Sequence, residues 1–243
     1  MYTYLPAAAV PPTDEQSREL RSFLKKRKIS YLTHFTRIEN VRSVLRYGIL
    51  PRAVVQGNKA MTSAKVYDRG LPIPWTRLVP FNLSLPDYKL FSELEGTDLS
   101  HCAVLLIDAK VICDFPFYFF TDRAAEFINA APMPNMFLTE GTRVKDFKAL
   151  FEDAGEVKRD TLDLESFYPT NPRSELLSFF PVPPSYIRQV CFMNEYKFNQ
   201  WFLHNTEFTL SVKAKDFWAC GIQYFSPRYD SAAWKTRGSR SVK

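Results

Sequence analysis

The sequence predicts an α+β fold, and two observations carry that reading. Segments with helical and with strand-like apolar spacing follow one another in mixed order rather than in strict βαβ alternation, and 46% apolar against 24% charged residues is an ordinary globular composition. At 243 residues the chain is long enough for one full core and reads as a single domain over 1–243.

Thr13-Asp-Glu-Gln16 has the form of a capping box, and Leu20, Phe23 and Leu24 recur at helical spacing, which predicts a helix over 14–28. Lys28–Thr36 is rich in β-branched and aromatic residues and reads as a strand. A helix follows from Asn40, with Val41, Val44 and Leu45 on one face and Gly48 where a C-terminal cap belongs. Residues 51–78, broken by Pro51, Gly57, Gly70, Pro72 and Pro74, read as a long loop of the kind that carries function. Strands are expected at 79–84, 103–108 and 117–120, and helices at 122–130 and 143–153. Ser174–Phe180 is a short strand ended by Pro181, Pro183 and Pro184, residues 186–193 form another, and 194–204 a short aromatic helix.

Several chemistries lack their motifs. Cys102, Cys113, Cys191 and Cys220 include no CxxC pair, and His34, His101 and His204 no HExxH, so no metal and no disulfide framework is expected, only reduced, mostly buried thiols. Neither GxGxxG nor GxxxxGK[ST] occurs, so a nucleotide must be held without the usual glycine cradles. No apolar run approaches the length of a membrane span, and Met1–Val10 lacks the features of a secretory leader, so a cytoplasmic protein with no membrane partner is expected.

The net charge of +6 is concentrated at the ends: +3 over Asp14–Lys28 and +5 over 213–243, leaving the remainder slightly negative. The C-terminal stretch interleaves its cations with Phe217, Trp218, Tyr224, Phe225, Tyr229 and Trp234, which suits single-stranded nucleic acid and equally suits a solvated tail whose aromatics finish the core.

Four stretches in order carry a family likeness. They are Tyr31-Leu-Thr-His-Phe-Thr-Arg-Ile-Glu-Asn40 with Gly48-Ile-Leu-Pro51, then Tyr67-Asp-Arg69, Leu83-Ser-Leu-Pro-Asp-Tyr-Lys-Leu-Phe91, and Tyr168-Pro-Thr-Asn-Pro-Arg-Ser-Glu-Leu-Leu177. Together they resemble DarT-type ADP-ribosyltransferases over residues 20–192, with 29–192 as the matching core and 193–243 as a basic, aromatic extension. The resemblance implies an ADP-ribosyltransferase fold with a split central β-sheet around an NAD cleft. It implies transfer of ADP-ribose from NAD to a base of single-stranded DNA, or of RNA in some relatives, by a toxin of a toxin–antitoxin or anti-phage system with a cognate antitoxin partner.

Residue by residue, the resemblance makes Glu175 catalytic, since a fixed anion bonded to the ribose 2′-hydroxyl stabilises the positive charge that develops as nicotinamide departs. His34 would bond the adenosine ribose, with Thr36 on the same strand face. Asn40 would add a cofactor contact or cap the following helix. Arg69, with Arg77 as its rival, would brace the pyrophosphate or the acceptor base. Arg173 departs from the glutamine often found two residues before the glutamate, and as a cation it would meet an acceptor phosphate or change the base preference. Taken alone, Glu175 is a strand-edge surface glutamate, and Phe115–Phe120 is core rather than a stacking surface, with Thr121 capping a helix. Transfer to protein side chains and a silent nucleic-acid binding module are the competing readings.

Overall fold

Thr13 sets the first helix. Its Oγ1 accepts from the Gln16 amide at 3.3 Å and the Gln16 side chain returns to the Thr13 amide at 2.9 Å, so the capping box opens α1 (Asp14–Arg27) as its sequence predicts. A computed structural model describes the chain over residues 10–58, 64, 76–95, 99–126, 144–162 and 164–207. After α1 come β1 (Tyr31–Arg37), a 3-10 turn (Ile38–Asn40), α2 (Val41–Tyr47) and α3 (Arg52–Gly57). Then follow β2 (Val79–Leu83), α4 (Tyr88–Glu95), β3 (Cys102–Asp108), α5 (Val111–Asp114) and β4 (Phe117–Phe120). The described chain closes with α6 (Val144–Ala149), β5 (Glu175–Ser178), β6 (Ile187–Phe192) and α7 (Glu195–His204).

Three helices depart from the sequence reading: α3, α4 and the four-residue α5. α3 occupies the start of the segment read as loop, and it is a short element without a side-chain cap. α4 begins inside the stretch Leu83–Phe91 and runs past it; Asp87 starts it by accepting the Leu90 amide at 3.0 Å.

Gly48 ends α2 at φ +85°, and a Cβ built there would lie 2.2 Å from the Val182 carbonyl oxygen and 3.2 Å from Pro183 Cα. The close approach lets Ile49 and Val182 exchange backbone bonds of 2.9 Å in both directions, tying the end of α2 to the segment between β5 and β6. Gly48→Ala meets both an unfavourable dihedral and a backbone clash, so it is expected to cost about 2–3 kcal/mol. A urea melt measures this, and an unchanged midpoint would contradict it.

The six strands among the described residues form one antiparallel sheet in the order β4-β5-β2-β1-β3-β6. The two central strands barely pair. β1 meets β3 over seven residue pairs, Tyr31↔Asp108 to Arg37↔Cys102, but meets β2 only at Leu32↔Leu83 and Thr33↔Asn82. Two three-stranded halves are therefore joined at a narrow waist, which gives physical form to the split sheet expected above. Where pairing stops, the Pro80 carbonyl accepts from His34 Nδ1 at 2.8 Å, and proline carries no N–H to be stranded there.

Strand alternation sorts the apolar residues. On one face Leu32, Phe81, Leu105, Phe119, Leu176 and Val190 belong to the main core, covered by α1 and α6 through Leu20, Leu24, Val144 and Phe147. The opposite face carries two smaller clusters, one around Tyr118, Phe120 and Leu177, the other around Leu99, Val104 and Cys191. Phe117–Phe120 is thus buried core, as the sequence reading favours. Cys102, Cys113 and Cys191 are free, buried thiols; burial pushes Cys113 up to about 11. No helix among the described residues is long and apolar enough to cross a membrane.

Candidate active site

One row of residues crosses the whole sheet: Phe120, Glu175, Asn82, Thr33, Leu106 and Gln189, each opposite the next in strand register. Four of the six are polar, and all four are buried. Buried polar groups are costly unless bonded, so a polar row between two apolar clusters needs a partner for each group. Glu175, second in the row, is 2% exposed, which removes the reading of it as a surface residue.

Its partners come from neighbouring loops. Glu175 Oε2 accepts from the Ala124 amide at 2.9 Å. Ala124 opens a helical turn, so its amide has no acceptor within that turn, and the carboxylate supplies one. The turn begins three residues past Thr121, and the carboxylate, rather than that threonine, takes its first amide. Asn82 donates through Nδ2 to the Ser174 carbonyl at 3.1 Å and accepts from the Asp87 amide at 3.2 Å. Ser174 Oγ in turn donates to the Thr121 carbonyl at 3.2 Å. The strand that carries Glu175 is thereby tied to the loops after β2 and after β4.

His34 and Thr36 follow Thr33 on β1 and, by alternation, face the main core side, whereas Glu175 lies on the other. Thr33, on the face of Glu175, is two strand spacings from it, about 10 Å, and the sheet itself separates Glu175 from the side chains of His34 and Thr36. Because a carbonyl only accepts, the bond to Pro80 places a proton on His34 Nδ1. The imidazole stands 5.5 Å from the Phe81 ring. Thr36 Oγ1 accepts from Asn40 Nδ2 at 3.1 Å; Asn40 precedes α2 without a side-chain cap bond, so of its two sequence readings the capping one is not realised.

Arg173 is half-buried. Its Nε stands 2.9 Å from Asp122 Oδ1 and its Nη2 donates to Glu126 Oε1 at 2.8 Å, so the loop after β4 neutralises it. Arg69 and the basic C-terminal stretch 213–243 lie outside the described residues. Arg77, the rival of Arg69, is exposed just before β2.

Asn82, Asp87, Arg123 and the Ala124 amide were not singled out from sequence. A signal existed for the first: an asparagine in the apolar strand Val79-Pro-Phe-Asn-Leu83 breaks the pattern of a buried central strand. The role of the Ala124 amide depends on the backbone alone and has no side-chain signature.

The chain resembles solved structures of DarT proteins. Thermosipho africanus DarTG in complex with ADP-ribose is 14% identical over 82% of this chain and 50% of its own, with a TM-score of 0.49. Thermus sp. 2.9 DarT in complex with NAD+ is 14% identical over 74% and 90%, with a TM-score of 0.45. The same Thermus protein in complex with ADP-ribosylated ssDNA gives 14%, 76% and 92%, with a TM-score of 0.43. The chain thus spans about half the length of the Thermosipho protein. No family model and no curated protein sequence matches it.

Proposed function

We propose that this chain is an NAD-dependent mono-ADP-ribosyltransferase that modifies a base of single-stranded nucleic acid, DNA ahead of RNA. The observation that carries the reading is Glu175: a buried carboxylate on β5, one strand from the waist of the sheet, that accepts from the Ala124 amide within a motif that resembles the catalytic stretch of DarT-type enzymes.

The residues fit an NAD ligand by the chemistry of their side chains. Glu175 brings a carboxylate and His34 an imidazole, the kinds of group that meet ribose hydroxyls. NAD supplies the ADP-ribosyl group, its bond to nicotinamide breaking as a bond to the acceptor base forms. Glu175 contributes a preorganised negative charge that does not have to reorient as positive charge builds on the ribose, and it can take the proton of the attacking base. Arg173 faces the acceptor side, where a strand phosphate competes with Asp122 and Glu126 for its guanidinium. Arg69 would brace the pyrophosphate, Thr36 and Asn40 would support the cofactor side, and the basic stretch 213–243 would follow the strand. In the cell such an activity is that of a toxin restrained by an antitoxin protein.

The test is incubation with isotopically labelled NAD and matched pools of single-stranded DNA, duplex DNA, RNA and cell protein. Label is expected on single-stranded DNA and not on duplex. Label on RNA alone changes the acceptor, label on protein replaces the nucleic-acid reading, and oligonucleotide binding without label in any pool overturns the enzymatic one.

A further inference from the structure

Arg123 occupies an unusual position for a cation. Its side chain is only 13% exposed, and its three guanidinium nitrogens are all engaged. Nε donates to Asp87 Oδ2 at 2.7 Å, Nη2 to Asp87 Oδ1 at 3.3 Å, and Nη1 to Glu93 Oε2 at 2.8 Å. Asp87 is 4% exposed and is at the same time the cap of α4, while Glu93, one turn into that helix, is 45% exposed. Burial alone would lower the Arg123 pKa, but the bonds to Asp87 and Glu93 outweigh it and raise it, so the guanidinium stays charged.

The arrangement closes a ring around the glutamate. Arg123 grips Asp87, the Asp87 amide bonds Asn82, Asn82 bonds the Ser174 carbonyl, Ser174 precedes Glu175, and Glu175 accepts from Ala124, the residue after Arg123. Every link but the covalent ones is a hydrogen bond between buried or part-buried groups. Ala124 itself is fully buried, and its amide has no other use in the helical turn it begins. Where the loop after β4 stands relative to β5 therefore decides whether that amide reaches the carboxylate, and the Arg123–Asp87 fork ties that loop to the segment between β2 and α4.

We propose that Arg123, clamped side-on by Asp87, is a positioning residue that holds the Ala124 amide against Glu175 and so fixes the carboxylate in its working orientation. The geometry of the clamp is independent of the transferase reading; its consequence for turnover rests on that reading. Lysine cannot reproduce the clamp, because a single ammonium does not span both Asp87 oxygens and reach Glu93 together.

Two readouts on wild type, Arg123→Lys, Asp87→Asn and Glu93→Gln test it, each variant first shown folded by circular dichroism. Hydrogen exchange at the Ala124 amide, followed by NMR, is expected to speed up at least about 10-fold in Arg123→Lys and Asp87→Asn, and less in Glu93→Gln, whose partner bond is solvent-screened. In the labelling assay kcat is expected to fall about 10- to 100-fold in the first two variants while KM for NAD changes less than about 2-fold, because misplacement of a reacting group lowers turnover rather than binding. Unchanged exchange at Ala124 in both variants overturns the clamp whatever the activity. Faster exchange with wild-type kcat overturns the positioning role. If wild type itself transfers no label, the transferase reading fails, and the exchange data still decide the clamp. Should Arg123→Lys not fold, Asp87→Asn carries the same comparison, since the fork needs both oxygens charged.

Discussion

Glu175→Gln is expected to lower transfer from NAD by about 10²- to 10³-fold while leaving the melting temperature nearly unchanged. Glutamine keeps a carbonyl oxygen that can accept the Ala124 amide, so the bond that orients the side chain survives and only the charge is lost. Neutralising a side chain that is 2% exposed also removes a desolvation cost, which protects stability. Glu175→Ala behaves differently: it abolishes transfer and also leaves the Ala124 amide unpaired, a cost of about 1–3 kcal/mol. The pair of variants separates charge from placement. A glutamine variant with wild-type turnover would remove Glu175 from the reaction, and one that unfolds would show that its charge serves the fold.

Phe147→Ala should be the most damaging single truncation, costing about 3–5 kcal/mol. Phe147 is fully buried on α6 and is the point where helices meet the sheet: its ring centroid lies 5.7 Å from Phe23 of α1, 5.1 Å from Phe119 of β4 and 5.9 Å from Phe151. The rim of this cluster is closed by the Arg27 guanidinium, 4.7 Å from the Phe151 centroid, so neighbouring side chains have little room to collapse into the cavity. Tyr196→Ala, at an exposed position of α7, is the comparison, expected within about 0.5 kcal/mol of wild type. Denaturant melts of the two decide it, and equal midpoints would mean that the cluster is not where helix and sheet are joined.

Much of the secondary structure was legible because it is encoded locally. The capping box at Thr13–Gln16, the glycine at 48 and the β-branched run at Tyr31–Thr36 each act through contacts a few residues apart, and each element forms within a few residues of its expected bounds. α3 and α4 were missed for the converse reason. α3 has weak local signals and follows a proline, and α4 draws its start from Asp87, whose carboxylate is held in place by Arg123, 36 residues away.

The site divides in the same manner. The motifs mark Glu175 and His34 by residue type and order, and nothing more than sequence is needed to name them. That Glu175 is buried, that Asn82 and Thr33 stand beside it in one row, and that His34 fills the gap where β2 parts from β1 follow from the strand order β5-β2-β1, which no local pattern specifies. What the sequence determined by itself is the identity of most elements and the candidates proposed for the chemistry, since propensity, capping and motif spacing are short-range properties. Tertiary structure alone decided which strands become neighbours and which backbone amide reaches the carboxylate, because hydrogen bonds between segments some 50 to 90 residues apart depend on how the whole chain packs rather than on any stretch of it.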